Sequence, residues 1–187
     1  MDHFYQNIQG WMDFENLYSH MVNEAHHLSH FVEVGSWKGK SAAFMCVEIA
    51  NGGKIIRFDC VDTWQGSDEH HAGGSFEDAD CVNGELLTRF QENMAPVKGR
   101  FNTIIESSVQ AAQRYANCSL DFVFIDADHS YPAMIQDITA WLPKIKPGGY
   151  LAGHDYYWAG VKQAVDELLP QALHYPPGSW IIQIASQ

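Results

Sequence analysis

Apolar and polar positions follow two alternating periods from about residue 30 onward. Short apolar runs predict buried strands near 30–34, 54–61, 101–105, 120–126 and 150–154. Segments with an apolar residue every three or four positions predict helices near 42–49, 86–94, 130–142 and 161–169, with a shorter one after Ser108. This order of elements predicts an α/β domain built on a mostly parallel sheet.

Three segments depart from that alternation. Residues 1–29 predict a helical lead-in that Asp13 caps, with an apolar stripe that we expect to face the core: Trp11, Phe14, Leu17 and Met21. Residues 63–80 have no periodicity, which predicts a long loop beside the active site that contains the mobile pair His70-His71. The apolar runs on either side of Pro176-Pro177-Gly178 predict an antiparallel hairpin at a sheet edge.

Composition narrows the class of protein. The chain has 187 residues, of which 46% are hydrophobic, so we expect one domain over 1–187. The balance of 11 Lys+Arg against 23 Asp+Glu gives a net charge of −12, which disfavours nucleic acid and anionic membranes as partners. The four cysteines form no C-x-x-C pair, and no apolar run is long enough to span a membrane. These features predict a soluble protein of the cytoplasm.

The segment 33–41 is a turn between a strand and a helix, where glycines let a ligand approach the backbone and helix N–H groups face a negative charge. A dinucleotide fingerprint is disfavoured, because Trp37 and Lys40 occupy its second and third glycine positions. A phosphate-binding P-loop matches at Gly39-Lys40-Ser41 but is one residue short. A P-loop-like nucleotide-binding hydrolase and a glycine turn without a ligand therefore remain as alternatives.

The acid, glycine and serine of this turn also suit a zwitterionic amino-acid tail, and Asp62 at the next strand end suits two ribose hydroxyls. With Ile125–Tyr131, Lys146–Gly149 and Gly153–Tyr156, these motifs resemble the class I S-adenosylmethionine-dependent methyltransferases. The resemblance is closest to the small O-methyltransferases of the catechol and macrocin type, and it covers residues 31–184.

The resemblance implies a Rossmann-like sheet of seven mostly parallel strands with an antiparallel edge hairpin and helices on both faces. It implies methyl transfer from S-adenosylmethionine to a small-molecule acceptor, with a hydroxyl oxygen as the expected target. A non-catalytic protein that keeps the cofactor site is a further alternative, and the sequence gives no oligomeric state. The implied cofactor residues are Glu33 and Gly35 at the methionine moiety, Ser36 in the same turn, Ser41 at the methionine carboxylate, Asp62 and Trp64 at the ribose, Ser108 near the adenine, and Asp126 at the amino group or a metal.

Two further roles are expected near Asp126. His129 lies three residues beyond it, where a neutral imidazole with a pKa near 6.5 suits a general base, although a structural histidine at a helix start is the alternative. In metal-dependent relatives, the counterparts of Asp126, His154 and Asp155 are oxygen ligands of Mg²⁺. Because imidazole suits a transition metal better than Mg²⁺, His154 leaves open a different metal, a weak site or no metal.

Overall fold

The centre of the molecule is a twisted sheet, seen in a computed structural model that describes residues 1–185. The last two residues of the predicted domain, 186 and 187, lie outside that range. The strands are β1 (Ser29–Val34), β2 (Ile56–Asp62), β3 (Asn102–Ile105), β4 (Leu120–Ile125), β5 (Ile145–Gly153), β6 (Leu173–Tyr175) and β7 (Ser179–Gln183). Their order is β3-β2-β1-β4-β5-β7-β6. The first five are parallel, and β7 pairs antiparallel with both β5 and β6, which confirms the predicted edge hairpin.

Helices cover both faces of the sheet. They are α1 (Glu15–Glu24), α2 (Lys40–Asn51), α3 (Ala79–Val82), α4 (Leu86–Asn93), α5 (Ser108–Ala112), α6 (Tyr131–Trp141) and α7 (Ala159–Leu168). Successive side chains of a strand point to opposite faces. In β4, Phe122 and Phe124 therefore join the core under α1 and α2, while Val123 and Ile125 join the core under α5, α6 and α7. The predicted Rossmann-like fold is confirmed.

The N-terminal segment differs from the sequence prediction. Phe14, not Asp13, is the residue before the first turn of α1, and no side chain caps that helix end. Asp13 instead accepts a hydrogen bond from His154 across the sheet edge, at 2.8 Å. Trp11 lies outside the helix with 69% of its surface exposed, so its predicted place in the core is wrong.

Two other elements differ in extent. The segment 63–80 is not structureless, because Asp68–His70 form a 3-10 turn and α3 begins at Ala79. Strand β5 starts at Ile145, five residues earlier than predicted, and runs through Pro147-Gly148-Gly149 with an irregular register against β4. The described residues contain no helix that is long and apolar enough to cross a membrane.

Candidate functional site

A cavity of about 820 Å³ opens at the carboxyl ends of the parallel strands. It lies above β1 and β4, which are neighbours at the centre of the sheet and whose following segments leave toward opposite sides. Such a topological switch point is where open α/β sheets bind ligands. The volume lies in the upper part of the range of about 300–1,000 Å³ for small-molecule sites, so it has room for a cofactor and a second small molecule.

The turn after β1 forms the floor of the cavity. Gly35 has φ +91°, and a Cβ atom there would lie 1.9 Å from the carbonyl oxygen of Asp126. The Gly35 amide donates to Val61 and the Asp126 amide donates to Val34, both at 2.8 Å, so the ends of three strands are joined at this point. Only glycine fits here, because a side chain would separate β1 from β4.

Three predicted cofactor residues surround this floor. Ser36 and Ser41 line the cavity, and Ser41 lies in the first turn of α2. Glu33 does not line it: the side chain is buried below the floor, where Glu33 Oε2 accepts a hydrogen bond of 2.7 Å from the Tyr18 hydroxyl. However, Glu33 Oε1 and Ser36 Oγ are both buried without a partner. Two unsatisfied polar atoms under the glycine turn fit the amino group of a ligand.

Burial dominates the electrostatics of Glu33. It raises the pKa of this carboxyl to about 7, against the opposing effect of the Tyr18 hydrogen bond. Glu33 is therefore protonated in a large fraction of molecules at neutral pH. A positively charged ligand group beside Oε1 would favour the ionised carboxylate.

Asp62 lines the cavity at the end of β2. Its carboxylate accepts hydrogen bonds from the backbone amides of Trp37, at 2.8 Å, and Trp64, at 2.7 Å. Trp37 and Trp64 have φ values of 43° and 51°, which are unfavourable for large side chains, so the carboxylate holds two strained turns in place. Each carboxylate oxygen has a further lone pair that can accept a hydroxyl group.

Trp64 is placed differently from the prediction. Its indole does not line the cavity but packs into the core against Phe90, with ring centroids 4.7 Å apart. Its Nε1 donates to the Trp37 carbonyl at 2.9 Å. The left-handed backbone at Trp64 turns the side chain away from the predicted ribose position, so its contribution is to brace the turn at Trp37.

Ser108 lines the opposite side of the cavity, at the start of α5. Its hydroxyl accepts a hydrogen bond of 2.9 Å from Nε1 of Trp141. Nearby on α6, Asp137 also lines the cavity, although it is only 4% exposed. Burial raises the pKa of Asp137 to about 6, with the Ser108 hydroxyl acting in the opposite direction. The sequence analysis did not single out Asp137, because an acid within a helix pattern has no distinguishing signal.

His129 and Asp126 face each other at the other end of the cavity, as predicted. The ring contacts carboxylates from three segments: Asp155 at 2.9 Å, Glu69 at 3.3 Å and Asp126 at 3.8 Å. The atoms are close enough for ion pairs, but neither ring nitrogen of His129 is oriented to form a hydrogen bond with these carboxylates. Burial lowers the pKa of His129, but Asp126 and Asp155 outweigh burial and raise it to about 10. The expected pKa near 6.5 is therefore wrong for the ligand-free protein.

His154 is next to this pair and has carboxylates on both ring nitrogens. Its Nδ1 lies 3.3 Å from Asp155 and 3.8 Å from Asp126, while Nε2 is hydrogen-bonded to Asp13. Burial lowers the pKa of His154, but these acids outweigh it and raise the pKa to about 9. One donor atom from each of Asp126, His154 and Asp155 lies within 4.8 Å of the others. The predicted metal residues are thus brought together.

The mouth of the cavity carries four aromatic side chains from four segments, which we call the aromatic collar: Trp11, Trp37, Phe76 and Trp158. Neighbouring members are in contact, with centroid distances of 5.9 Å for Trp11–Trp37 and 6.0 Å for both Trp11–Phe76 and Phe76–Trp158. Sequence reasoning missed Phe76 and Trp158, because Phe76 is a lone aromatic residue in a segment without periodicity and Trp158 is not distinguished from the adjacent Tyr156 and Tyr157.

Below the collar, a buried lysine joins three segments into what we call the Lys38 cluster: Lys38, Gln9, Asp78 and Asp80. Lys38 Nζ lies 2.6 Å from Asp78, 2.7 Å from Asp80 and 3.0 Å from Gln9 Oε1. The lysine side chain is only 2% exposed. The cluster ties the turn after β1 to the segment before α1 and to the loop that leads into α3, which carry collar members.

Comparison with known proteins gives the family. Residues 32–156 match the model of the methyltransferase domain family, which is more than half of the chain. An uncharacterised protein of Sinorhizobium fredii is 27% identical over 125 residues. That match covers 66% of this chain and 13% of the relative, so this chain spans only a small part of the relative's length.

Solved structures share the fold. The O-methyltransferase NovP has a TM-score of 0.63 at 16% identity, with 91% of this chain and 79% of NovP covered. A Streptococcus mutans protein in complex with S-adenosylhomocysteine (SAH) has a TM-score of 0.63 at 11% identity, with 93% of this chain and 99% of that chain covered. An rRNA methylase from Streptococcus thermophilus has a TM-score of 0.62 at 12% identity, covering 95% of this chain and 100% of that chain.

Proposed function

The chain belongs to the methyltransferase domain family, and on this premise we propose that it transfers a methyl group from S-adenosylmethionine to a hydroxyl oxygen of a small molecule. The observation that carries the proposal is His129, an imidazole that lines the same cavity as the glycine turn and contacts carboxylates. Transfer to a hydroxyl oxygen requires a group that takes up the hydroxyl proton. The O-methyltransferase NovP, which shares the fold, supports the same choice of acceptor atom.

The cofactor residues have chemistry that matches each part of S-adenosylmethionine. We assign the ribose hydroxyls to the Asp62 carboxylate and the methionine carboxylate to the hydroxyl of Ser41 and the first turn of α2. The unpartnered Glu33 Oε1 and Ser36 Oγ suit the methionine ammonium group, with Asp126 nearby. Ser108 lies near the adenine in this assignment. A P-loop function is not supported, since Lys40 Nζ donates to the Ile8 carbonyl at 3.1 Å.

The proposed chemistry is a displacement at the methyl group. The acceptor oxygen forms a bond to the methyl carbon while the carbon–sulfur bond breaks, and sulfur keeps the electron pair. Neutral His129 accepts the hydroxyl proton, and Asp155 stabilises the imidazolium that results, as a carboxylate does in other histidine–acid pairs. The same carboxylates that strengthen this base reduce its neutral fraction at pH 7.

We propose a divalent metal site on Asp126, His154 and Asp155. The donors lie close enough to share one ion, and Asp13 holds the second nitrogen of His154, as outer carboxylates do for metal-bound imidazoles. A cation at this position would hold a deprotonated acceptor oxygen next to the methyl group. The imidazole favours a transition metal over Mg²⁺.

A small-molecule acceptor fits the charge of the cavity better than RNA does, although an rRNA methylase shares the fold. Among the described residues that line the cavity, eight are Asp or Glu and one is Lys. A phosphate backbone would be repelled by this wall and by the net charge of −12. We therefore propose no nucleic-acid and no membrane partner.

The cofactor assignment is tested by heat denaturation with S-adenosylmethionine, S-adenosylhomocysteine, ATP with Mg²⁺, and NAD. A ligand that binds the native state raises its stability, so the first two should raise the melting temperature and the last two should not. Asp62→Ala removes hydrogen bonds to the ribose, so calorimetric titration should find that S-adenosylhomocysteine binding is weaker by about 1.5–3 kcal/mol. Unchanged affinity would contradict the role of Asp62, and stabilisation by ATP alone would favour the P-loop alternative.

The acceptor atom is tested by methyl transfer from labelled cofactor to a panel of hydroxyl, amine and thiol compounds, with the methylated atom identified by mass spectrometry and NMR. Oxygen methylation supports the proposal, and methylation of nitrogen or carbon alone would contradict it. Tight cofactor binding without transfer to any compound would favour the non-catalytic alternative.

The pH dependence of cofactor affinity tests the position of Glu33. Its pKa of about 7 means that ionisation grows as pH rises from 6 to 8. If the ionised carboxylate pairs with the ligand ammonium, S-adenosylhomocysteine should bind up to about tenfold more tightly at pH 8 than at pH 6. Glu33→Gln should remove that rise. If calorimetry finds the same pH dependence in the unmodified protein and in Glu33→Gln, Glu33 does not pair with the ligand.

Metal analysis and chelation test the proposed ion. We expect chelator to lower activity, and a transition metal to restore it better than Mg²⁺. Asp155→Asn should lower the affinity for the restoring metal. Full activity in metal-free protein that still binds cofactor would exclude a required metal and leave His129 as the proton acceptor.

A further inference from the structure

The aromatic collar exposes a large apolar surface that the core does not use. Trp11, Phe76 and Trp158 are 69%, 42% and 39% exposed, although each touches another collar ring. Exposed aromatic rings that converge on the mouth of a cavity mark a ligand surface. Two of the three are held in place by rigid neighbours, because the Lys38 cluster fixes the segments on which Trp11 and Phe76 lie.

The collar continues into the end of the cavity where methyl transfer is proposed. The rings of Trp158 and His129 are in contact, with centroids 4.7 Å apart. A molecule stacked on the collar would therefore lie next to the imidazole that we propose as proton acceptor. Trp37 is the collar member that lies on the glycine turn beside Asp62, so the other three, Trp11, Phe76 and Trp158, are free for the acceptor.

Charge around the collar favours a cation. Asp13 and Glu69 line the cavity with Trp11 and Phe76. They contact His154 and His129, but the Asp13 side chain is 49% exposed, and the described lining carries eight acids against one lysine and three histidines. Lys40 is the single lysine among the described lining residues, and its ammonium group donates a hydrogen bond to the backbone carbonyl of Ile8. Positive groups are attracted both to the faces of tryptophan rings and to nearby carboxylates, whereas carboxylates and phosphates would be repelled.

We infer, resting on the proposed function, that the collar binds the acceptor and that this acceptor is a flat ring compound with a positive charge and a free hydroxyl. Trp11, Phe76 and Trp158 are its specificity-determining residues. They hold the ring face, and Asp13 and Glu69 select the charge.

Two pairs of probes separate these features. Tyramine and 4-hydroxyphenylacetate share one ring and hydroxyl but differ in carrying an ammonium or a carboxylate, and serotonin and 5-hydroxyindole-3-acetate form a second such pair. Binding is measured by calorimetry with the full chain saturated with S-adenosylhomocysteine. We expect the ammonium member of each pair to bind at least about tenfold more tightly. Equal or tighter binding of the carboxylate members, or no binding of any probe at millimolar concentration, would overturn the inference.

Variants test the residues. Trp158→Ala and Phe76→Ala should each lower the affinity for the ammonium probes at least about fivefold and leave the affinity for S-adenosylhomocysteine unchanged. Tyr157→Ala is the matched control, since Tyr157 is adjacent and 68% exposed but does not line the cavity. Probe affinity in both collar variants that is unchanged from the unmodified protein would contradict the collar. Absence of S-adenosylhomocysteine binding in the unmodified protein would instead contradict the proposed function.

Discussion

Replacement of His129 by alanine is expected to slow methyl transfer by about 10²–10⁴-fold, the usual contribution of a general base. The imidazole is the group at the reacting end whose neutral form can accept a hydroxyl proton, and its ring contacts Asp155 at 2.9 Å. The measurement is single-turnover transfer to the acceptor with saturating cofactor. S-adenosylhomocysteine affinity should remain within about threefold, because the predicted cofactor residues other than Asp126 lie elsewhere along the cavity.

Two controls give this result its meaning. His70→Ala removes another imidazole that lines the cavity, and it should have a much smaller effect because the His70 Nδ1 atom pairs with Ser67 and not with the acids around His129. His129→Gln keeps a polar side chain but cannot accept the proton, so it should be as slow as the alanine variant. Loss of cofactor affinity together with activity would place His129 in the cofactor site, and full activity would make it a structural histidine.

The second large effect concerns stability. Lys38→Met leaves the buried Asp78 carboxylate without a cation, whereas Asp80 keeps Arg89, and removal of one partner from a buried ion pair costs about 3–5 kcal/mol. For a chain of this size, that loss lowers the melting temperature by roughly 6–20 °C. Denaturant titration of the unmodified protein and the variant measures the free energy of unfolding.

A surface lysine is the matched control. Lys162 pairs with Asp166 on the outside of α7, where both side chains are 50% exposed, so Lys162→Met should have little effect on the free energy of unfolding. Adding Asp78→Asn to Lys38→Met removes the uncompensated charge and should recover much of the stability. An equal loss of unfolding free energy in the two lysine variants would show that the Lys38 cluster stabilises the protein no more than a surface pair does.

The sequence predicted the sheet because its pattern is local. Strand β4 is an apolar run that only Asp121 interrupts, and α6 begins directly after the predicted Ser130, whose side chain caps the helix. The residues at the strand ends followed from the same reasoning, since parallel strands bring their carboxyl ends to one edge. Gly35, Asp62 and Asp126 are therefore where the motifs placed them.

The remaining features depend on contacts between distant segments, which a local pattern does not contain. Asp13 is a common helix-capping residue, but it binds His154, which is 141 positions away. The pKa of His129 is raised by Asp126 and Asp155, which belong to separate segments, and Trp64 has a left-handed backbone and turns into the core. The collar could not be predicted for the same reason, because its four rings come from four segments.

The order of the strands also has a consequence for how the chain folds. The central pair joins Phe31 of β1 to Phe122 of β4, about 90 positions apart along the chain. Closing so long a loop is entropically costly, and domains dominated by such distant pairings fold slowly, on the scale of milliseconds to seconds. Gly35 and Asp126 meet only after this pairing forms, so competence to bind cofactor should arise late in refolding and report its final steps.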